Sequence, residues 1–177
     1  MAELKQEQLL LNELLNNLIR EEQRGRLFFR EAAKVSTDNE IIELFEWLSA
    51  QEQNHLEILE KMKSQLGAEL KKHESTVSID GKLVKILDLS DMDFDKTELP
   101  RIDLFKNHDF VELLKAISVQ AILKYAMRIE YENASYIKEF ITRVQSKKIR
   151  NTLVGLIQEE KEHFQVLQKK LQKIINA

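Results

Sequence analysis

Cysteine is absent from the 177 residues. That excludes disulfides, thiolate metal sites and a cysteine nucleophile, and it leaves the redox compartment open. Proline occurs once and glycine four times. So few breakers favour long helices over sheets and tight turns. No apolar run approaches the ~20 residues of a bilayer span, so no membrane partner is expected. The opening stretch, MAELKQEQLLLNELL, lacks a basic region followed by an apolar one. No signal peptide is therefore expected, and a cytoplasmic location is the default. Nor is there a strong charge of one sign: the formal net charge is −3, too mild to attract nucleic acid or an anionic membrane. What remains is a chain 43% hydrophobic and 32% charged, long enough for one domain with a proper core.

The periodicity predicts four long helices, over residues 2–34, 38 to about 67, 109 to about 144, and 146 almost to the C-terminus. In VSTDNE, Thr37 with Glu40 three residues later is a capping-box signature. Asp109 stands where a cap is expected. The first two helices, and the last two, are joined so briefly that each pair must be an antiparallel hairpin. The single domain, residues 1–177, then divides into a hairpin over about 2–73, a crossover over about 74–108 and a hairpin over about 109–176. In the crossover, TVSIDGKLVKIL alternates around Asp80-Gly81, and DLSDMDFDKTELPRIDLF is acidic and holds Pro100. At most two short strands are expected there. A 30-residue helix is roughly 45 Å long, and about 35 extended residues span that easily. The second hairpin can therefore start at the opposite end from where the first finished. A floppy linker between independent hairpins is the poorer alternative, because an isolated helical hairpin buries too little surface.

The apolar seam of the second helix is interrupted. It runs Ile41, Phe45, Leu48, then Glu52 and His55, then Leu59, Met62 and Leu66. The fourth helix repeats the interruption in LIQEEKEHFQVL: Ile149, Leu153, Leu156, Glu160, His163, Leu167. The two Glu-x-x-His pairs are offset by 108 residues. The same offset carries the first helix seam (Leu11, Leu15, Leu18, Glu22, Gly25, Phe29) onto the third (Val119, Leu123, Ala126, Glu130, Asn133, Ile137). Each half thus holds one Glu followed, 30 residues later, by a Glu-x-x-His pair. The chain reads as a duplicated helical hairpin. Glu21 competes with Glu22 if the helix phase is off by one residue, and the repeat selects Glu22.

Packed together, the halves aim four carboxylates and two imidazoles at one level of the core. Buried, unpaired carboxylates cost several kcal/mol each. Either some take up protons, or two divalent cations cancel the charge. Carboxylate oxygen with imidazole nitrogen suits iron or manganese; zinc is able to substitute, and the histidines disfavour calcium. A single Glu-x-x-His would be read as solvated surface. Two copies on predicted seams reverse that reading.

EEQRGRLFFREAAK, LFEWLSAQEQNHLEIL and LIQEEKEHFQVL resemble the helix 1, 2 and 4 motifs of the rubrerythrin branch of the ferritin-like di-iron carboxylate proteins, whose ligand set is one Glu from each of two helices and a Glu-x-x-His from each of the others. The resemblance covers the helices and not the crossover. It implies an all-α ferritin-like four-helix bundle with two iron ions. Glu52 and Glu160 would bridge the metals, Glu22 and Glu130 would be terminal ligands, and His55 and His163 would bind one metal each. It implies an oxidoreductase reducing hydrogen peroxide or dioxygen, a role in oxidative stress, and no catalytic side chain apart from the metal ligands. The alternative is a ferroxidase or iron-storage protein of ferritin type. Manganese or a mixed pair is compatible with the same ligands. A homodimer or larger homo-oligomer is expected, as is an external electron donor, because a cysteine-ligated rubredoxin unit of the kind the family appends is missing. Two departures stand out. Asn133 occupies the place of a further family ligand Glu, and Phe29 stands where the family often has Tyr. Gly25 and Asn133 are expected to leave space beside the site for oxidant.

Other polar residues read as bystanders. Glu21, Glu57, Glu132, Glu159 and Glu162 lie off the seams and are expected to be solvated. His73 and His108 read as exposed crossover residues. Trp47, Tyr125, Tyr131 and Tyr136 read as packing, and TRVQSKKIRN as a solvated turn.

Overall fold

The computed structural model describes residues 2–69, 87–92, 110–144 and 146–177. Among the described residues there are five α-helices and no strand: α1 Ala2–Val35, α2 Asn39–Glu69, α3 Phe110–Ala116, α4 Val119–Ile141 and α5 Lys147–Ile175. The described residues are all-α, as the composition predicts. α1 packs along α2, and α4 along α5. α1 also lies against α4, whereas α2 meets α5 only over a short stretch. No described helix is long and apolar enough to cross a membrane. The expected crossover hairpin around Asp80-Gly81, together with Pro100, His73 and His108, lies outside the described residues.

The helix starts differ in instructive ways from the sequence expectation. α2 is capped by Asp38, not Thr37: Asp38 Oδ1 accepts from Glu40 N at 2.8 Å and Ile41 N at 3.3 Å. An aspartate one residue later does the work of the predicted capping box. Glu40 is instead taken by Lys170 and Lys173 of α5, at 2.6 and 2.9 Å, and these two ammonium groups hold its carboxyl down at about 2. α5 starts as expected, with Ser146 Oγ accepting from Ile149 N at 3.4 Å. The single third helix predicted from Asp109 to Val144 is broken at Ile117 and Ser118. Ser118 adopts an extended backbone (φ −69°, ψ 156°), and its hydroxyl accepts from Ala121 N at 3.2 Å. Serine competes well for first-turn N–H groups, so a new helix begins there. The short α3 folds back on α1, where Phe28 and Phe110 meet with ring centroids 6.2 Å apart.

The four long seams bury as their periodicity requires, and their apolar residues form two separate clusters. Leu11, Leu15 and Leu18 of α1 join Leu59 and Met62 of α2, Ile137 and Phe140 of α4, and Leu153 and Leu156 of α5. Phe28, Phe29, Ile41, Phe45, Leu123, Ala126, Phe164 and Leu167 build the other. Phe29 stacks on Phe45 at 6.1 Å and meets Phe28 edge-on at 5.6 Å. Between the clusters lies a layer of buried polar side chains. Residues 87–92 run beside this layer on the outside. Leu87 belongs to one cluster, Met92 to the other, and Leu89 touches both. Lys161 of α5 ties the segment down, donating to the Asp88 carbonyl and to Asp91 Oδ1.

Candidate metal centre

Glu22, Glu52, His55, Glu130 and Glu160 are wholly buried, or nearly so, and His163 and Asn133 are each 2% exposed. A helix places residues three apart on one face, so Glu52 with His55, and Glu160 with His163, point the same way from α2 and α5. α1 and α4 each bring one glutamate to the same level. The six sequence-selected residues therefore converge. Their ligand atoms form two overlapping groups, Glu22–Glu52–His55–Glu160 and Glu52–Glu130–Glu160–His163, each with its atoms within 4.8 Å of one another. Each group is able to hold a metal ion, and Glu52 and Glu160 belong to both.

The hydrogen bonding inside this layer is sparse. Both oxygens of Glu52, Glu130 and Glu160, Oε1 of Glu22 and Nδ1 of His163 have no hydrogen-bond partner although buried. Buried polar atoms are ordinarily satisfied, and this concentration of orphaned acceptors is able to hold a cation. His55 is the best-anchored member. Its Nδ1 lies 3.2 Å from Glu22 Oε2 and 3.1 Å from Glu160 Oε1. Only the first contact is aligned as a hydrogen bond, which leaves Glu160 Oε1 orphaned. The two histidine rings stack at 5.5 Å.

Without a cation the layer neutralises itself with protons. Burial pushes Glu52 and Glu160 well above the ordinary carboxylate value, and neighbouring acids, Glu22 and Glu130 respectively, push the same way. Burial lifts Glu130 to about 7, against the opposing pull of the Glu160 carboxyl beside it and of His55. Burial also works to raise Glu22, but the adjacent Glu52 carboxyl and the His55 ring outweigh it and hold Glu22 low. For His55 burial favours the neutral ring; the carboxylates of Glu160 and Glu22 prevail and raise it to about 12. His163 goes the other way, lowered by burial that Glu160 only partly offsets. Metal-free, Glu22 is thus an anion facing an imidazolium, and protons sit on Glu52 and Glu160.

Glu159 and Gly25 differ from the sequence reading. Glu159, expected to be solvated, accepts from His55 Nε2 at 3.2 Å while its side chain stays 45% exposed. The sequence signal was its place next to Glu160, which a helix turns toward the neighbouring α2. Trp47, expected as core or interface packing, is 42% exposed and meets the His163 ring edge-on at 5.1 Å. Gly25 does not leave space for oxidant: a Cβ there would stand 3.1 Å from Glu52 Oε2 and 3.3 Å from Ile129 Cγ2, so the carboxylate of Glu52 already occupies that room. Asn133 is buried beside Glu130 with its Nδ2 unpartnered.

The bystanders fall mostly as expected. Glu21 pairs with Arg24 at 2.9 Å and Glu132 with Arg128 at 2.7 Å, both away from the layer. Glu57 accepts from Gln53 at 3.0 Å, and Glu162 is exposed. Tyr125 is buried and Tyr131 packs partly buried against the same cluster, while Tyr136 is 45% exposed. Thr142, Arg143, Lys147 and Lys148 of the basic turn are exposed.

No curated protein and no solved structure matches the chain. A family model does: residues 13–90 match the one described as Rubrerythrin, a span that includes Glu22, Glu52 and His55 and ends before α4 and α5. Residues 13–90 are therefore similar to the Rubrerythrin family, a ferritin-like di-iron family.

Proposed function

We propose that this protein reduces hydrogen peroxide or dioxygen at a dinuclear iron centre. The observation that carries the reading is the set of orphaned buried atoms on six side chains, arranged as two ligand groups that share Glu52 and Glu160. In this reading Glu52 and Glu160, which belong to both groups, would serve both metal positions. Glu22 and His55 would complete one position, and Glu130 and His163 the other. Two bound iron ions supply the electrons and the Lewis acidity for the reduction.

The chain's own contribution is geometry, proton control and dryness. Apolar clusters above and below the layer keep bulk water from it. Glu52, Glu160 and His55 give up their protons when they coordinate, because a ligand atom binds in its deprotonated form. Asn133 offers Nδ2 as a buried donor with no partner, suited to an oxygen atom of a small substrate. Electrons for repeated turnover come from an external donor.

The test is stopped-flow absorbance of the protein loaded anaerobically with two ferrous ions and mixed with each oxidant. A ferric near-ultraviolet band within seconds supports the reading, and no band with either oxidant refutes it. Uptake of many irons per chain during aerobic loading would assign the chain to iron storage of ferritin type instead.

A further inference from the structure

The two halves match along their seams but not in the layer outside them. His55 is held at both ring nitrogens: Nδ1 faces Glu22 and Glu160, and Nε2 meets Glu159 Oε2 at 3.2 Å. His163 is not built this way. Its Nδ1 stands 3.4 Å from Glu130 Oε2 and 3.9 Å from Glu160 Oε2 without a hydrogen bond. Its flank is covered by the Trp47 indole, 5.1 Å away at 85°, and an indole has an N–H to donate and no acceptor. Among the described residues no carboxylate bonds Nε2 of His163. The 108-residue offset explains the difference: it carries Glu159 back to Gln51, which is neutral, and Trp47 forward to Gly155, where a Cβ would meet nothing within 4 Å.

We propose that Glu159 is a positioning residue that makes the two metal positions unequal, so that the position formed by Glu22, Glu52, His55 and Glu160 binds a divalent cation more tightly than the one formed by Glu52, Glu130, Glu160 and His163. This rests on the dinuclear reading above. A carboxylate that accepts from Nε2–H fixes the tautomer with Nδ1 as the ligand atom, sets the ring's orientation and raises the basicity of Nδ1. Loss of such a partner typically weakens metal binding about 10- to 100-fold. His163 has no such partner among the described residues, so its ring orientation rests on packing against Trp47.

Cobalt(II) titration of the full chain, followed by visible absorption and calorimetry, tests this. The wild type is expected to bind two ions in unequal steps. Glu159→Gln keeps the side chain's size but removes its charge. It is expected to weaken the tighter step about tenfold or more, shift that step's absorption band and leave the weaker step alone. Glu159 is half exposed, so metal-free thermal unfolding of this variant should match wild type. In a His163→Ala background Glu159→Gln should weaken the remaining ion equally strongly, and in a His55→Ala background it should change nothing. Equal steps in wild type, no effect of Glu159→Gln, or equal losses in both backgrounds would overturn the proposal. A wild type that binds no cobalt would instead bring down the dinuclear reading, and the proposal with it.

Discussion

Replacing Glu52 by glutamine separates what the buried layer costs from what it is for. Glu52 is fully buried, both its oxygens lack a hydrogen bond, and it belongs to both ligand groups. Burial, then the charge on Glu22, raise its pKa well above 4.5. The folded, metal-free protein therefore keeps a proton that the unfolded chain releases. A carboxyl raised in this way does no harm below its unfolded value and destabilises progressively as pH rises above it. Each pH unit over which the proton is retained costs about 1.4 kcal/mol. The amide keeps the shape and does not ionise. Metal-free Glu52→Gln should be more stable than wild type by about 1–3 kcal/mol near pH 7, and the two should converge below about pH 4.5. Metal should reverse the order. A ligand at about 100 times its Kd stabilises by about 2.7 kcal/mol, and the variant should gain almost none of this because both positions lose a shared anion. Urea unfolding followed by circular dichroism, at acid and neutral pH, with and without zinc or ferrous ion, reads both effects. A variant less stable than wild type at neutral pH without metal, or one that gains as much from metal, would refute the reasoning.

Metal uptake should expel protons, because Glu52, Glu160 and His55 all hold one in the metal-free layer. Affinity should therefore rise with pH across the neutral range, and calorimetric heats should depend on the buffer's ionisation enthalpy; buffer-independent heats would contradict the assignment. Gly25→Ala places a Cβ 3.1 Å from Glu52 Oε2, so the carboxylate must shift. Zinc affinity should fall about tenfold or more, even though alanine in the helix favours folding by up to about 1 kcal/mol. Phe29→Ala empties a fully buried site stacked on Phe45 and should lower stability by about 3–5 kcal/mol in denaturant titration. A loss under about 1 kcal/mol would mean that the cluster collapses around the gap.

Much of this site is legible in the chain. The seam positions are fixed by helical period alone, and an interruption at the same place on two helices marks Glu52, His55, Glu160 and His163 without any structure. The 108-residue offset then separates Glu22 from Glu21, and Glu130 from its neighbours, because a duplicated hairpin must place equivalent residues at equivalent depth. Helix starts were less legible. Asp38 and Thr37 are both good caps, and Ser118 sits in a stretch whose apolar spacing continues past it. Propensity does not say which competing hydrogen bond wins.

The sequence by itself determined the all-α class, the duplicated seams and the six residues that share a level. Those follow from periodicity, which acts within one helix and needs no knowledge of its neighbours. Only the tertiary structure decided that Glu159 reaches across to His55, that Trp47 covers His163 from the solvent side, and that the room beside Gly25 is filled by Glu52. Each of those depends on the distance and rotation between two packed helices. That geometry is set by how whole side-chain faces interlock, which no single helix's pattern records.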